Sequence, residues 1–296
     1  VLVRALYSAV SRGTESLVFR GEVPSSQHET MRAPFQDGDF PAPVKYGYSS
    51  VGQIASGPPE LVGRIGFCLY PHQDLYRVPL EAWHELPTDV PPGRAVLAAN
   101  LETAVNALWD ARPGPGDRIV VIGGGVVGLL TAWLAAQLPG AEVTVVDIDR
   151  SKGDAARELG LSFTTEVPTA GDADLVVHAT GHPDALAAGL EAAGPEATVL
   201  EVSWFGDRPV TLPLGEAFHS RRLTLRSSQV GRLPPERAPR WSLARRMRLV
   251  LKLLRSDELA ALITGESSFD ELPRLMAELS QDPAGVLCHR IRYDQP

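Results

Sequence analysis

Gly123-Gly124-Gly125-Val126-Val127-Gly128 follows an apolar run, Arg118 to Ile122, and opens a helical pattern that reaches Leu138. The glycines fit G-x-G-x-x-G at a strand-to-helix turn. Asp147 stands about 20 residues further on, closing a second apolar run, Val143 to Val146. Gly123 permits the tight turn, Gly125 lets a pyrophosphate approach the backbone, and Gly128 lets the helix pack closely on the strand. N–H groups at the helix start, those of Val126 and Val127, then face the phosphates together with the positive end of the helix dipole. A carboxylate at Asp147 accepts the ribose hydroxyls of an adenosine and repels a 2′-phosphate, so the expected cofactor is NAD rather than NADP; Arg150 is grouped with it. A tight turn that binds nothing is the plain alternative. An S-adenosylmethionine methyltransferase is the sharper one, but its loop usually has an acidic residue before the glycines, where this chain has Val121 and Ile122.

The elements around the motif place it. The first hundred residues are rich in Pro and Gly and hold short β-prone runs at Val1 to Tyr7, Ser50 to Ile54, Arg64 to Leu69 and Leu75 to Pro79. They predict an irregular, mainly β domain. From Arg118 strands and helices alternate, with strands at Arg118 to Ile122, Glu142 to Asp147, Ser162 to Thr164, Leu175 to His178, Thr198 to Val202 and Leu223 to Ser227. That pattern predicts an α/β fold with a doubly wound parallel sheet, a Rossmann domain over 100–230. Two helices, Ser242 to Arg255 and Phe269 to Asp282, and a strand, Gly285 to Tyr293, follow. The last strand is too isolated to stand alone, so it is expected to pair with the N-terminal β domain, making a split domain of 1–99 and 231–296.

Composition narrows the partners. Asp and Glu number 36 against 28 Lys and Arg, giving a formal charge of −8, which disfavours nucleic acid. The basic cluster Arg237, Arg240, Arg245, Arg246, Arg248 and Lys252 alternates with Leu243, Met247, Val250, Leu251 and Leu254, and reads as the wet face of an amphipathic helix. No run approaches the ~20 apolar residues of a membrane span, so a membrane is not an expected partner. Two cysteines, Cys68 and Cys288, suit a reducing cytosol, and the chain is expected to be cytoplasmic.

The layout resembles the medium-chain dehydrogenase/reductase superfamily, in its alcohol-dehydrogenase-like branch. Arg12-Gly13-Thr14-Glu15 sits where that family has Cys-Gly-Thr-Asp, and Gly47-Tyr48-Ser49-Ser50-Val51-Gly52 where it has Gly-His-Glu-x-x-Gly. Leu101-Glu102-Thr103-Ala104 falls at its threonine-bearing helix. The resemblance implies a GroES-like catalytic domain formed from both chain ends, a central NAD-binding domain, a missing N-terminal strand pair and a homodimer joined at the sixth strand. The zinc enzymes ligate their metal where this chain has Arg12, Tyr48, Ser49 and about Ala99. Arginine brings a positive charge to that position, so zinc is not expected and no metal ligand is assigned. The four-cysteine lobe for structural zinc is also missing; Cys68 and His72 read as a buried thiol and a polar loop histidine.

Without zinc, side chains must act on the oxygen whose charge changes during hydride transfer. The resemblance puts Tyr48, Thr14, Arg12 and Glu15 around that oxygen. Tyr48 either donates a proton or fills the space left by the metal. Thr14 relays a proton, Arg12 stabilises an alkoxide, and Glu15 orients Arg12 or forms a structural ion pair with it. Thr103 corresponds to a side chain near the nicotinamide, with helix capping by Asn100 as the local alternative. Thr180 and Gly181 match the loop under the cofactor, and Ser203 and Trp204 border the nicotinamide. The expected activity is zinc-independent, NAD(H)-dependent oxidation or reduction of a small alcohol/carbonyl pair. An enoyl or quinone reductase is the enzymatic alternative, and an NAD(H)-binding sensor or scaffold without turnover the alternative of another class.

Overall fold

The computed structural model describes residues 1–281 and 285–294. Strand β1 (Leu2–Val10) leads into helix α1 (Arg12–Phe19), so Arg12, Thr14 and Glu15 sit on a helical turn and not on an open loop. The Glu15 carboxylate accepts the Ser11 N–H at 2.8 Å, satisfying a donor at the helix start that has no partner within the helix. Strands β2 (Asp37–Gly38) and β3 (Val44–Lys45) pair with each other, and β4 (Ser50–Ser56), β5 (Ile65–Cys68), β6 (Leu75–Arg77) and β7 (His84–Glu85) follow. Helix α2 (Ala98–Ala111) comes next. It starts before Asn100, which therefore lies inside the first turn and is not its N-cap.

Alternation then begins as the sequence predicts. Strand β8 (Arg118–Ile122) is followed by α3 (Val126–Ala135), β9 (Glu142–Val146), α4 (Lys152–Glu158) and β10 (Ser162–Thr164). The chain continues through β11 (Ala173–His178), α5 (Pro183–Ala192), β12 (Ala193–Glu201), α6 (Ala217–Ser220) and β13 (Thr224–Ser227). Among the described residues these six strands form one parallel sheet in the order β10-β9-β8-β11-β12-β13. The order reverses between β8 and β11, the topological switch point of a doubly wound sheet. Ile119, Val120, Val121 and Ile122 are all buried, as a strand covered on both faces requires.

Helix α7 (Leu243–Leu253), strand β14 (Ile263–Ser268), helix α8 (Leu272–Gln281) and strand β15 (Cys288–Arg292) complete the chain. Strand β15 pairs antiparallel with β1, Tyr7 opposite Arg292, which is the closure expected for the terminal strand. The second sheet runs β14-β15-β1-β4-β5-β7, with β6 also on β1. Its core includes Val3, Ile54, Tyr76, Trp83, Leu275 and Ile291.

The chain divides into two compact units, Val1–Ala99 with Ala244–Pro296, and Asn100–Leu243. Three expectations change. Residues 231–243 belong to the nucleotide-type unit, not the split one: Trp241 packs against Trp109 of α2 at 4.7 Å between centroids, Arg237 lies 5.0 Å over the Trp109 ring, and Glu236 pairs with Arg112. Strand β14 went unpredicted because Gly265, Glu266, Ser267 and Ser268 carry little β signal; its parallel partner β15 supplies the pairing. On α7, Arg246 is 1% exposed while Leu243 is 49% exposed, so the basic side is not uniformly wet. Arg246 shares the inward side with Met247, Val250 and Leu251, where its apolar stem can pack.

Candidate functional site

In the nucleotide-type unit, one transverse register row runs Thr164, Val146, Ile122, His178, Glu201, Ser227. The residues after this row form the carboxyl edge of the sheet. Gly123 has φ +119°, a left-handed conformation that favours glycine, and a methyl there would press on the Ala179 carbonyl. A methyl on Gly128 would overlap the Gly123 carbonyl oxygen, so the helix approaches the turn only because residue 128 has no side chain. Gly125 caps α3, and a methyl there would meet nothing within 4 Å: its side of the turn is open. The first helical hydrogen bond runs from Leu129 N–H to Gly125 O, so the N–H groups of Val126, Val127 and Gly128 precede the ladder. These features form a cradle suited to a pyrophosphate.

Asp147 follows β9 and is already engaged. Its Oδ2 accepts the Gly124 N–H at 2.7 Å and pairs with Lys152 Nζ at 2.8 Å, and its Oδ1 accepts the Asp149 N–H at 2.9 Å. Lys152 was missed in the sequence reading, although its place on the first turn of α4 five positions after Asp147 was a visible signal. Arg150 is exposed beside this group. Thr180 and Trp204 are exposed, while Gly181 and Ser203 are partly so, on the turns after β11 and β12. His178 and Glu201 lie behind those turns, with Nδ1 and Oε2 2.6 Å apart. Sequence reading missed both because each closes an apolar strand with no motif of its own. Thr103 lies on α2 within this unit.

In the split unit, Tyr48, Thr14 and Glu15 are brought together. The Tyr48 hydroxyl is hydrogen-bonded to the side chains of Ser11 and Thr14. Burial pushes its pKa up to about 12, the Glu15 charge adds to the rise, and the two hydroxyl bonds oppose it. Tyr48 is thus a neutral donor at ordinary pH. Glu15 Oε2 lies 2.8 Å from His72 Nε2, and His72 Nδ1 lies 2.7 Å from Ser8 Oγ, which in turn lies 2.9 Å from Tyr293 Oη. His72 lies on the loop between β5 and β6, as expected, and a buried carboxylate holds it there. Arg12 Nη1 donates to the Val286 carbonyl at 3.0 Å, and Ser49 Oγ donates to the Val96 carbonyl at 2.6 Å. Cys68 is buried as expected, its thiol pushed up to about 12 by desolvation. Among the described residues, no group of three or more His, Cys, Asp or Glu side chains is arranged to hold a metal ion.

Known proteins resemble parts of this chain. The family of the alanine dehydrogenase/PNT C-terminal domain matches residues 111–196. The L-threonine 3-dehydrogenase of Bacillus subtilis is 28% identical over 163 residues, covering 50% of this chain and 46% of that protein. Rat sorbitol dehydrogenase is 24% identical over 177 residues, 53% of this chain and 49% of its own length. The chain spans about half the length of the curated relatives it matches. Among solved structures, an alcohol dehydrogenase of Escherichia coli CFT073 complexed with NADH superposes with a TM-score of 0.76 at 16% identity, covering 99% of this chain and 91% of that one. The split β unit and the six-stranded parallel sheet with its glycine turn thus share the fold of these solved alcohol dehydrogenases, and half of the chain is similar in sequence to threonine and sorbitol dehydrogenases.

Proposed function

We propose that this chain is a nicotinamide-dependent oxidoreductase that moves a hydride between NAD(H) and a small alcohol or carbonyl, without a catalytic zinc. The observation that carries the reading is the cradle at the switch point: an open Gly125, the N–H groups of Val126 and Val127 ahead of the α3 ladder, and the Asp147 carboxylate on the neighbouring strand end. The glycine turn would hold the pyrophosphate, Asp147 with Lys152 and Arg150 the adenosine ribose, and Thr180, Gly181, Ser203 and Trp204 the nicotinamide half. Bound NAD(H) would accept or supply the hydride; the proton falls to the protein. The Lys152 ammonium on Asp147 softens the repulsion of a 2′-phosphate, which keeps NADP as the alternative.

The residues at the relatives' metal position do not suit zinc. Arg12 is a cation with no lone pair to offer a metal, Ser49 donates its hydroxyl to a carbonyl, and Tyr48 would have to lose a proton it holds to about pH 12. Tyr48 is instead read as the hydrogen-bond donor to the substrate oxygen, with Thr14 as the relay and Arg12 as stabiliser of a developing alkoxide. Glu15, fixed by His72 and the Ser11 N–H, holds the first turn of α1 that carries Thr14. The same reading takes the chain as a cytoplasmic homodimer joined at the edge strand β13, with no nucleic-acid or membrane partner. Among the described residues no helix is long and apolar enough to cross a membrane.

The test is NADH binding followed by transfer of deuterium from C4-labelled NADH to a panel of small ketones and aldehydes. Label transfer is expected; tight NADH binding with no transfer to any carbonyl would favour a binding-only protein. Metal analysis of zinc-replete protein is the second arm, and one tightly held zinc per chain would overturn the zinc-free assignment.

A further inference from the structure

His178 and Glu201 are registered neighbours at the last positions of β11 and β12. His178 is fully buried; its Nδ1 lies 2.6 Å from Glu201 Oε2 and its Nε2 lies 2.7 Å from Thr180 Oγ1. Glu201 Oε1 accepts the Ser203 N–H at 2.6 Å, and Thr180 Oγ1 accepts the His182 N–H at 3.0 Å. One imidazole–carboxylate pair therefore grips both of the turns that leave these strands. The sheet itself has no need of it, because the same row carries Ile122 and Val146 on β8 and β9, and burying an imidazole with a carboxylate costs more than burying aliphatic side chains.

Hydrogen-bond capacity fixes the polarity of this chain of groups. In the neutral imidazole, with a carboxylate that only accepts on one side, Nδ1–H donates to Glu201 and Nε2 is left to accept. The Thr180 hydroxyl must then donate inward to Nε2, so what Thr180 turns outward is oxygen rather than its proton. A dinucleotide crossing this edge puts its pyrophosphate at the turn after β8 and its adenosine at the end of β9. Its other half then runs past the ends of β11 and β12.

We propose that His178 and Glu201 are a positioning pair, resting on the dinucleotide reading above, that ties the Thr180 and Ser203 turns together and sets which hydrogen-bonding face Thr180 shows to the nicotinamide-ribose half. Neither residue touches the cofactor; both act through the turns.

The decisive variant is Glu201→Gln, which is nearly isosteric. Its amide oxygen still accepts the Ser203 N–H, while its NH₂ donates to His178 Nδ1; the imidazole proton moves to Nε2, and the Thr180 hydroxyl proton is released outward. Dissociation constants would be measured for NADH and for ADP, which carries only the adenosine and pyrophosphate, in wild type, Glu201→Gln and His178→Gln. NADH binding is expected to weaken about tenfold in either variant, the effect of one hydrogen bond, with ADP changed less than about twofold. Imidazole nitrogen chemical shifts of His178 should interchange in Glu201→Gln. Equal losses for NADH and ADP, or unchanged NADH binding in both variants, would overturn the positioning role. Wild-type protein that binds neither ligand would overturn the dinucleotide reading and this proposal with it.

Discussion

Glu15 Oε2 and His72 Nε2 lie 2.8 Å apart with side chains 4% and 8% exposed, so a carboxylate and an imidazole share a nearly dry pocket of the split unit. Ser8 and Tyr293 extend the contact on the far side of the ring. Removing one partner of such a pair leaves the other desolvated with only its remaining hydrogen bond, Ser11 N–H for Glu15 or Ser8 Oγ for His72. His72→Ala is therefore expected to lower the unfolding free energy by about 3 kcal/mol, whereas Glu15→Gln, which keeps a neutral hydrogen bond, costs closer to about 1 kcal/mol. Denaturant unfolding of the two variants checks this, and a His72→Ala loss below about 0.5 kcal/mol would show that the pair is energetically idle.

Gly125 and Gly128 separate two reasons for a glycine. A methyl at Gly125 meets empty space in the protein, so Gly125→Ala should melt within a few degrees of wild type yet lose most NADH binding, the methyl standing where phosphate approaches. A methyl at Gly128 collides with the Gly123 carbonyl, so Gly128→Ala should lose thermal stability as well as binding. If Gly125→Ala binds NADH normally, the pyrophosphate does not lie on that side of the turn.

Tyr48→Phe is expected to lower turnover by about 10²- to 10³-fold, the scale of a lost proton donor, with NADH affinity unchanged. The Tyr48 proton also makes a pH prediction. Its ordinary pKa of 10.0 rises to about 12 in the fold, so between those values the folded chain holds a proton that the unfolded chain has lost. Stability must fall as pH rises through that window, and Tyr48→Phe should make the alkaline decline shallower. An unaltered alkaline melting profile in the variant would contradict this environment for the phenol.

Cys68 and Cys288 are buried, and desolvation pushes both thiols from 9.0 up to about 12. A thiol reagent at neutral pH should leave the native protein unmodified and react with two groups per chain after denaturation. The linkage runs the same way as for Tyr48: above about pH 9 the unfolded thiols ionise and the folded ones do not, so stability declines. Rapid modification of either cysteine in the native chain would be the contrary result.

The sequence by itself determined the parallel-sheet unit and the place of its glycine turn. Its signals are local: glycine at a left-handed φ, apolar runs at strand length, and Asp147 closing the next strand. It also put Arg12, Tyr48 and Ser49 where the resemblance to the zinc enzymes would call for metal ligands, since residue identity needs no fold. Tertiary structure alone decided how the polar groups are paired. Glu15 finds His72 from 57 positions away, and His178 finds Glu201 from 23 positions away across a strand register. It likewise moved 231–243 onto Trp109 and made a strand of the polar segment Ile263–Ser268. A buried polar group must be hydrogen-bonded somewhere, but which partner reaches it depends on register and packing between segments far apart in the chain, and no spacing in the sequence encodes that distance.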